Sequence, residues 1–363
     1  MKVIFLHQTI AKHDATGNDI AHMYSILGRK YCVFVYCDYL ENPGLNKVNR
    51  EHLFDIISDR RNLLVYHHST YWEEGEKILA KAKAKIIIRY HNITPPSYFL
   101  PYYEDYYIKC KEGRKQTARL YKKYPNSLWM GASSYNLEEA GIGKDSNKVV
   151  VPPFNNIEQW KHVSPNEEVL KSLLEGPELN LLFVGRIAPN KGHKFLLHLV
   201  RDYLIHYNEK IVLHIVGKRD ENLGDYNREL DDLRWSSIPQ SSVNWAGQIE
   251  DSVMLAYYLG CDFYLNCSDH EGFCVPIVEA QSLYLPVITK HSSGITETIG
   301  KQQLILEEDP AKYSAAIHIL SKNATHRDFL IENGFRNYWS RFRNSIIENS
   351  FIRAILEYMG ISE

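Results

Sequence analysis

The chain has 363 residues, of which 44% are hydrophobic and 24% charged, and its formal net charge at pH 7 is −2. This length exceeds what one hydrophobic core usually serves, so two domains are expected. A net charge near zero argues against a general nucleic-acid-binding protein. The six cysteines form no C-x-x-C pair and are expected to be reduced thiols. With no signal-peptide pattern after Met1 and no apolar run of membrane-spanning length, we expect a cytoplasmic protein.

Short apolar segments alternate with helical stretches in the first half of the chain. Strands are predicted over 3–6, 32–36, 63–66, 86–89, 128–132 and 148–151. This alternation predicts a doubly wound parallel sheet, whose strand ends gather at one edge, where ligands bind. Several histidines follow these strands: His7, His67, His68 and His91. They could form a zinc cluster, or they could be histidines of surface loops.

Gly17 precedes the first predicted helix, over 20–27, which Asn18 or Asp19 would cap. A glycine between the first strand and the first helix is typical of loops that face phosphate in dinucleotide-binding folds. The full G-x-G-x-x-G pattern is not present, so Gly17 is a candidate binding residue on position alone.

Residues 98–124 combine aromatic and basic side chains. Six aromatic residues lie within 98–107, and seven lysines and arginines follow within 109–123, opposed only by Glu112. The near-helical spacing of the apolar positions predicts a basic amphipathic helix. One hypothesis is docking on anionic lipid or on a lipid-pyrophosphate acceptor. The alternative is a solvated helix face beside an aromatic packing patch.

A domain boundary is predicted at Pro152-Pro153, followed by a polar, turn-rich linker to about residue 178. In the second half, strands are predicted over 179–184, 211–216, 244–247, 263–265 and 287–289, and a helix is predicted over 343–359. Two doubly wound domains joined in this way leave a cleft between them, which is the default ligand site.

A cationic segment follows the first strand of the second domain. Gly185 permits close approach of a ligand to the backbone, Arg186 can bind phosphate oxygens through two hydrogen bonds, and Lys191 adds a point charge. Two cations and backbone donors could neutralise a leaving nucleoside diphosphate without a metal. The alternative is a basic turn paired with surface acids.

The segment 261–289 predicts a strand, an acidic loop, a helix and a second strand. Gly272 lies in the loop, and the positive end of the helix favours an anion. The backbone amides that precede the helix belong to Phe273, Cys274 and Val275. Glu271 in the loop and Glu279 in the predicted first turn of the helix could each accept two hydrogen bonds from adjacent sugar hydroxyls. Alternatively, Glu279 only complements the helix dipole and Glu271 is a solvated charge.

Glu271-Gly272-Phe273, with Pro276 and Glu279, resembles the E-x7-E signature of retaining glycosyltransferases of the GT4 family, the glycosyl transferases group 1. The segments 183–186 and 190–192 resemble the donor-phosphate segment of the same family. The resemblance implies an α/β protein of GT-B fold, with two doubly wound Rossmann-like domains facing a central cleft. Residues 1–152 would bind the acceptor and 153–342 the nucleotide sugar, and 343–363 would cross back to the first domain.

The resemblance also implies roles for individual residues. The ribose would lie on Glu279, and the diphosphate on Arg186, Lys191 and the amides of 273–275. Sugar hydroxyls would bind Glu271, and His91, after the fourth strand, would contact the donor sugar. Gly17 would face the donor phosphates and the acceptor, and Gly247 would line the pocket for the base. Asn92 departs from the aspartate often found beside the family's histidine.

The expected function is transfer of a hexosyl unit from GDP-mannose or a UDP-hexose to a glycan or a lipid-linked glycan, without metal or other cofactor. The expected setting is bacterial surface polysaccharide synthesis. A further hypothesis is that residues 98–124 contact an anionic membrane at its surface. Three alternatives remain open: a sugar-nucleotide epimerase of GT-B fold, a non-catalytic sugar-nucleotide-binding partner, and a retaining glycosidase that uses Glu271 and Glu279.

Overall fold

The computed structural model describes residues 1–11, 14–207 and 209–361, so the last two residues of the predicted segment 343–363 lie outside it. The chain divides into two compact units. Unit 1 contains Met1–Pro96, Asp105–Asn155 and Asn344–Glu363, and unit 2 contains Ser97–Glu104 and Asn156–Arg343. The predicted first domain, 1–152, includes the segment 97–104, whereas the contacts of this segment place it in unit 2.

Unit 1 is built on a six-stranded parallel sheet. Together with a small two-stranded sheet, its strands are β1 (Lys2–Leu6), β2 (Thr9–Ile10), β3 (Cys32–Tyr36), β4 (Tyr39–Leu40), β5 (Leu63–His68), β6 (Lys85–Tyr90), β7 (Leu128–Gly131) and β8 (Lys148–Val150). The large sheet has the order β3-β1-β5-β6-β7-β8, and β2 pairs with β4. The order reverses direction between β1 and β5, where Leu6 lies beside Tyr66. Ligands bind at such a reversal in doubly wound sheets.

Helices cover both faces of this sheet. They are α1 (Ala15–Gly28), α2 (Arg50–Ile57), α3 (Glu73–Leu79), α4 (Glu104–Lys123), α5 (Ser134–Glu139) and the C-terminal helix Asn344–Met359. The C-terminal helix packs on the core of unit 1 through Ile347, Phe351 and Ile355. Burial of these apolar side chains contributes roughly 1.5–3 kcal/mol each.

Unit 2 has a second six-stranded parallel sheet. Its strands are β9 (Leu179–Val184), β10 (Ile211–Val216), β11 (Val243–Gly247), β12 (Phe263–Asn266), β13 (Val287–Lys290) and β14 (Leu304–Leu306). The order β11-β10-β9-β12-β13-β14 is that of a Rossmann fold, and it reverses between β9 and β12. The predicted doubly wound parallel sheets are confirmed in both units.

The helices of unit 2 are α6 (Ile157–Trp160), α7 (Glu167–Glu175), α8 (His193–His206), α9 (Gly224–Ser237), α10 (Asp251–Gly260), α11 (Val275–Ser282), α12 (Ile295–Ile299), α13 (Pro310–Lys322) and α14 (Ala324–Arg341). The segment 97–104 packs on α9, where the Tyr102 hydroxyl donates to Glu229 at 3.0 Å and its ring contacts Tyr226. Among the helices of the described residues, none has the length and apolarity needed to cross a membrane.

Three predictions about local structure were wrong. Helix α1 begins at Ala15 rather than at residue 20, because the side chain of Asp14 accepts a hydrogen bond from the amide of Gly17 and caps the helix there. The predicted linker contains α6 and α7. The histidines at the strand ends are not surface residues, since His7, His67 and His68 are buried.

Candidate functional site

The candidate site residues of unit 2 lie where its strand order reverses. Gly185 and Arg186 follow β9, and the loop 267–272 follows the adjacent strand β12. Because the two strands are parallel, both loops emerge at the same edge of the sheet. Gly247 ends β11, two strands away from β9, and its carbonyl accepts a hydrogen bond from the amide of Gly217.

Direct backbone packing holds the two loops together. Gly192 has φ +74°, and a Cβ atom at this position would lie 2.0 Å from the carbonyl oxygen of Cys267. The amide of Asp269 donates to the carbonyl of Asn190 at 2.9 Å. This close approach brings the Nζ atom of Lys191 to 2.5 Å from Oε1 of Glu271. Lys191 and Glu271 therefore form an ion pair, although 80 residues separate them in the sequence.

Additional contacts fix Glu271. The Ser268 hydroxyl donates to the same carboxylate at 2.9 Å, and the amide of Glu271 donates to Ser293 Oγ at 2.8 Å. The next residue, Gly294, lies against the loop so closely that a Cβ would come within 2.2 Å of the Gly272 carbonyl oxygen. Glu271 is thus a positioned carboxylate, not the solvated loop charge of the alternative interpretation.

Helix α11 begins beside this carboxylate. Cys274 occupies its N-cap position with φ +72°, and Pro276 lies in the first turn. Within the described residues, the Cys274 side chain forms no capping hydrogen bond to the helix. The first amides of a helix have no hydrogen-bond partner within the helix. The amides of Phe273, Cys274 and Val275 lie at this N-terminal end of α11, where the positive end of the helix dipole favours an anion.

Glu279 lies in the second turn of α11, not in the first. Its carboxylate accepts a hydrogen bond from the Tyr258 hydroxyl at 2.8 Å. Burial raises the pKa of Glu279 to about 7, against the lowering effect of the Tyr258 hydrogen bond. The dipole effect fades beyond the first turn, so the alternative that Glu279 only complements the helix dipole loses support. A carboxylate that titrates near neutrality is typical of functional sites.

Arg186 is less constrained than Lys191. Its side chain is 53% exposed, and its guanidinium lies 3.9 Å from Asp220. The neighbouring Arg219 was missed by the sequence predictions. Arg219 pairs with Asp231 through two hydrogen bonds and lies over the ring of Trp245, with its guanidinium carbon 4.2 Å from the ring centroid. No local sequence pattern predicts these contacts, because Asp231 lies on α9 and Trp245 on β11.

Unit 1 gathers three of the histidines where its own strand order reverses. The Nδ1 atom of His7 lies 2.8 Å from the carbonyl oxygen of His67, and Nδ1 of His67 lies 2.8 Å from Nε2 of His91. Burial lowers the pKa of both His67 and His91 well below the usual value, and the nearby Arg89 lowers them further. The two rings are therefore neutral at pH 7 and share one proton between the facing nitrogens.

A buried ion pair lies beside these histidines. The Asp19 carboxylate accepts from Arg89 Nε at 2.9 Å, and both side chains are fully buried. Asp19 also accepts from the amide of Phe154, and Arg89 donates to the carbonyl of Val151. The sequence suggested only a helix cap for Asp19, because its partner is 70 residues away.

Asp19, His67 and His91 offer ligand atoms within 4.8 Å of one another, the one such group among the described residues. Both oxygens of Asp19 are already engaged, by Arg89 and by the amide of Phe154. The adjacent guanidinium would repel a divalent cation. These residues therefore fit an ion pair beside a histidine pair better than a metal.

Gly17 has a packing role in the structure. Its amide donates to Asp14 at 3.2 Å, and a Cβ would lie 2.1 Å from the carbonyl oxygen of Ala11. Its proposed contact with phosphate stays a prediction.

Helix α4 contains the predicted basic segment. Three of its cations form ion pairs, Arg114 with Glu139, Lys115 with Glu112 and Arg119 with Glu76. Its basic face is thus weaker than the sequence suggested, because Glu76 and Glu139 come from other parts of the chain.

The chain is similar to known proteins in sequence and in fold. Residues 166–337 match the family described as glycosyl transferases group 1. An uncharacterised 41.2 kDa protein in the cps region of Klebsiella pneumoniae is 25% identical over 61% of this chain and 58% of its own length. The O-antigen chain mannosyltransferase B of Escherichia coli is 23% identical over 38% of this chain and 35% of its own length. The aligned parts thus cover about half or less of these relatives.

The solved structure of Anabaena HepE in complex with UDP and glucose superposes with a TM-score of 0.74, at 16% identity, over 98% of this chain and 100% of that one. At this identity the similarity establishes the fold. The expected GT-B architecture is confirmed, because the superposition covers nearly the whole chain and so includes both parallel-sheet units. Residues 166–337 therefore match the glycosyl transferases group 1 family, and the chain as a whole has a GT-B fold.

Proposed function

We propose that the protein is a retaining glycosyltransferase that moves a hexosyl unit from a nucleoside-diphosphate sugar to a hydroxyl group of a glycan or lipid-linked glycan. The observation that carries the proposal is the group formed by Lys191, Glu271 and Glu279 at the strand reversal of unit 2. It combines a cation for phosphate with two carboxylates for sugar hydroxyls, as the proposed donor requires.

In the proposed reaction, the bond between the anomeric carbon and the diphosphate oxygen breaks, and the acceptor hydroxyl attacks from the same face. The hydroxyl proton passes to the leaving phosphate. Negative charge grows on the diphosphate as the bond breaks, and Lys191, Arg186 and the amides of α11 stabilise that charge. Glu271, released in part from Lys191, accepts hydrogen bonds from the sugar, and Glu279 accepts them from the ribose.

His91 of unit 1 is proposed to contact the donor sugar. Since His91 is neutral, it can donate one hydrogen bond to a sugar oxygen without adding charge. The cations Lys191 and Arg186 beside these carboxylates disfavour the glycosidase alternative, because hydrolysis of a plain glycoside needs no phosphate-binding site.

The relatives suggest the setting. One is encoded in a cps region and one is named an O-antigen chain mannosyltransferase, while HepE was solved with UDP and glucose. We therefore propose GDP-mannose or a UDP-hexose as donor, surface polysaccharide synthesis as the setting, and metal-independent action on the cytoplasmic side. The exposed lysines of α4 would provide the peripheral contact with anionic lipid.

The experiment is a transfer assay followed by NMR. The purified protein is incubated with GDP-mannose, UDP-glucose and UDP-galactose, with a lipid-linked glycan extract and with EDTA present. We expect release of one nucleoside diphosphate and a product with the anomeric configuration of the donor. An inverted product would contradict the retaining mechanism, and the absence of any turnover with GDP or UDP donors would contradict the proposed donor class.

A further inference from the structure

A groove of about 760 Å³ crosses the edge of the unit 1 sheet at the amino ends of β6, β7 and β8. His7, His67 and His91 lie at the carboxyl ends of strands in the same sheet, so the groove is at the opposite edge. It is lined by five cationic side chains: Arg60, Lys83, Lys85, Lys123 and Lys148. Lys123 is one of the exposed α4 lysines proposed above for the lipid contact, and none of the residues proposed to bind the donor lines the groove.

In the part of the chain that the structure describes, these cations have no carboxylate partners. Among the described residues, none of the five forms an ion pair, whereas Arg114 and Arg119 of the neighbouring helix α4 each do. Lys85 donates instead to the backbone carbonyl of Tyr358 at 2.8 Å, and the ammonium of Lys123 lies 5.7 Å from the Tyr124 ring centroid. Their positive charge is therefore not neutralised within the fold.

The one acidic side chain in the lining is that of Glu357, which is exposed. A surplus of positive charge at this place is not explained by composition, because the whole chain has a net charge of −2. Five like charges around one concavity repel one another, and a bound anion would relieve that repulsion. The volume falls within the range of pockets that bind small ligands, so the groove has room for an anion with several phosphate groups.

Neutral hydrogen-bonding groups complete the lining, namely those of Asn126, Ser127 and Asn147. Arginine, lysine, amide and hydroxyl groups together form the donor set that binds phosphate oxygens. We propose that this groove is a second ligand site, which binds a small anion carrying two or more phosphate groups. It contains none of the loop residues of unit 2 that are proposed to bind the donor, and within unit 1 it lies at the opposite edge of the sheet from His91.

The test is calorimetric titration of the full chain with inorganic tripolyphosphate in EDTA buffer. The groove variant is Lys83→Glu with Lys123→Glu, two exposed positions where substitution leaves the core intact. The matched control is Lys109→Glu with Lys161→Glu, which changes the net charge equally at exposed positions outside the groove. We expect roughly tenfold or greater loss of affinity in the groove variant and unchanged affinity in the control.

Three results would overturn the proposal. The first is no binding of tripolyphosphate by the unmodified protein. The second is equal affinity in the groove variant and the control, which would assign the anion to another site, such as Lys191 and Arg186. The third is binding to vesicles of phosphatidylglycerol, lost in the groove variant, without binding of the soluble anion, which would make the groove a lipid-contacting surface. Failure of sugar transfer would leave this titration unaffected.

Discussion

Replacement of Glu279 by glutamine should stabilise the fold while it weakens donor binding. The pKa of Glu279 rises from 4.5 to about 7 on folding. One pKa unit corresponds to about 1.4 kcal/mol, so an ionised Glu279 reduces the free energy of unfolding by about 3 kcal/mol above pH 7. Glutamine has a similar shape and can still accept the Tyr258 hydrogen bond, but it carries no charge into the fold.

The sign of the pH dependence follows from the raised pKa. Between about pH 4 and pH 7 the unfolded chain loses this proton while the folded protein keeps it, so stability falls as pH rises. Above pH 7 both states are ionised and the penalty is constant. Glu279→Gln should therefore be about 3 kcal/mol more stable than the unmodified protein at pH 8, and equally stable at pH 4.

Thermal unfolding at the two pH values measures the effect. A gain of about 3 kcal/mol raises the melting temperature by roughly 6–12 °C for a unit of 150–250 residues. Glu175→Gln is the control, because its side chain is 68% exposed and lies in the same unit. The same Glu279 variant should raise the KM for the donor. A lower melting temperature for Glu279→Gln at pH 8, or an unchanged donor KM, would refute the reasoning.

Three further predictions concern the loops and the histidine pair. Lys191→Gln should lower kcat by about 10²–10³ with a small change in KM, because the charge on the leaving phosphate grows in the transition state; steady-state kinetics with unchanged kcat would contradict this. Gly192→Ala should destabilise unit 2 by about 2–4 kcal/mol, since its Cβ would meet the Cys267 carbonyl at 2.0 Å, whereas Gly224→Ala, with nothing within 4 Å, should be nearly neutral in chemical denaturation. The ring nitrogens of His67 and His91 should show no titration in NMR spectra between pH 6 and 8, because the pKa of each is well below its usual value; a titration midpoint near pH 6.5 would show that the pair is not desolvated.

The elements that form the candidate site of unit 2 could be predicted because their signals are local. A buried apolar strand before Arg186, Pro276 at the start of α11 and the spacing of Glu271 and Glu279 all lie within short stretches of sequence. The strand order that joins them follows from the alternation of strands and helices. Local hydrophobic patterns thus placed the loops at one edge of the sheet.

The contacts that position the site could not be predicted, because they depend on residues far apart in the sequence. The ion pair of Lys191 with Glu271 and the buried pair of Asp19 with Arg89 join positions 80 and 70 residues apart. The burial of His67 arises because β5 extends to His68 in the middle of the sheet, between β1 and β6. The predicted start of α1 was wrong because Asn18 and Asp19 are as suitable for the N-cap position as Asp14, which occupies it in the structure.

The central claim is that unit 2 binds a nucleoside-diphosphate sugar through Lys191, Glu271 and Glu279 without a metal. A thermal-shift panel of UDP, GDP, ADP and their common sugar conjugates, with and without EDTA, tests it most directly. A ligand at about 100 times its Kd adds roughly 2.7 kcal/mol of stability, so we expect one nucleotide class to raise the melting temperature equally in both buffers. A panel without any shift, or a shift that EDTA abolishes, would contradict the account.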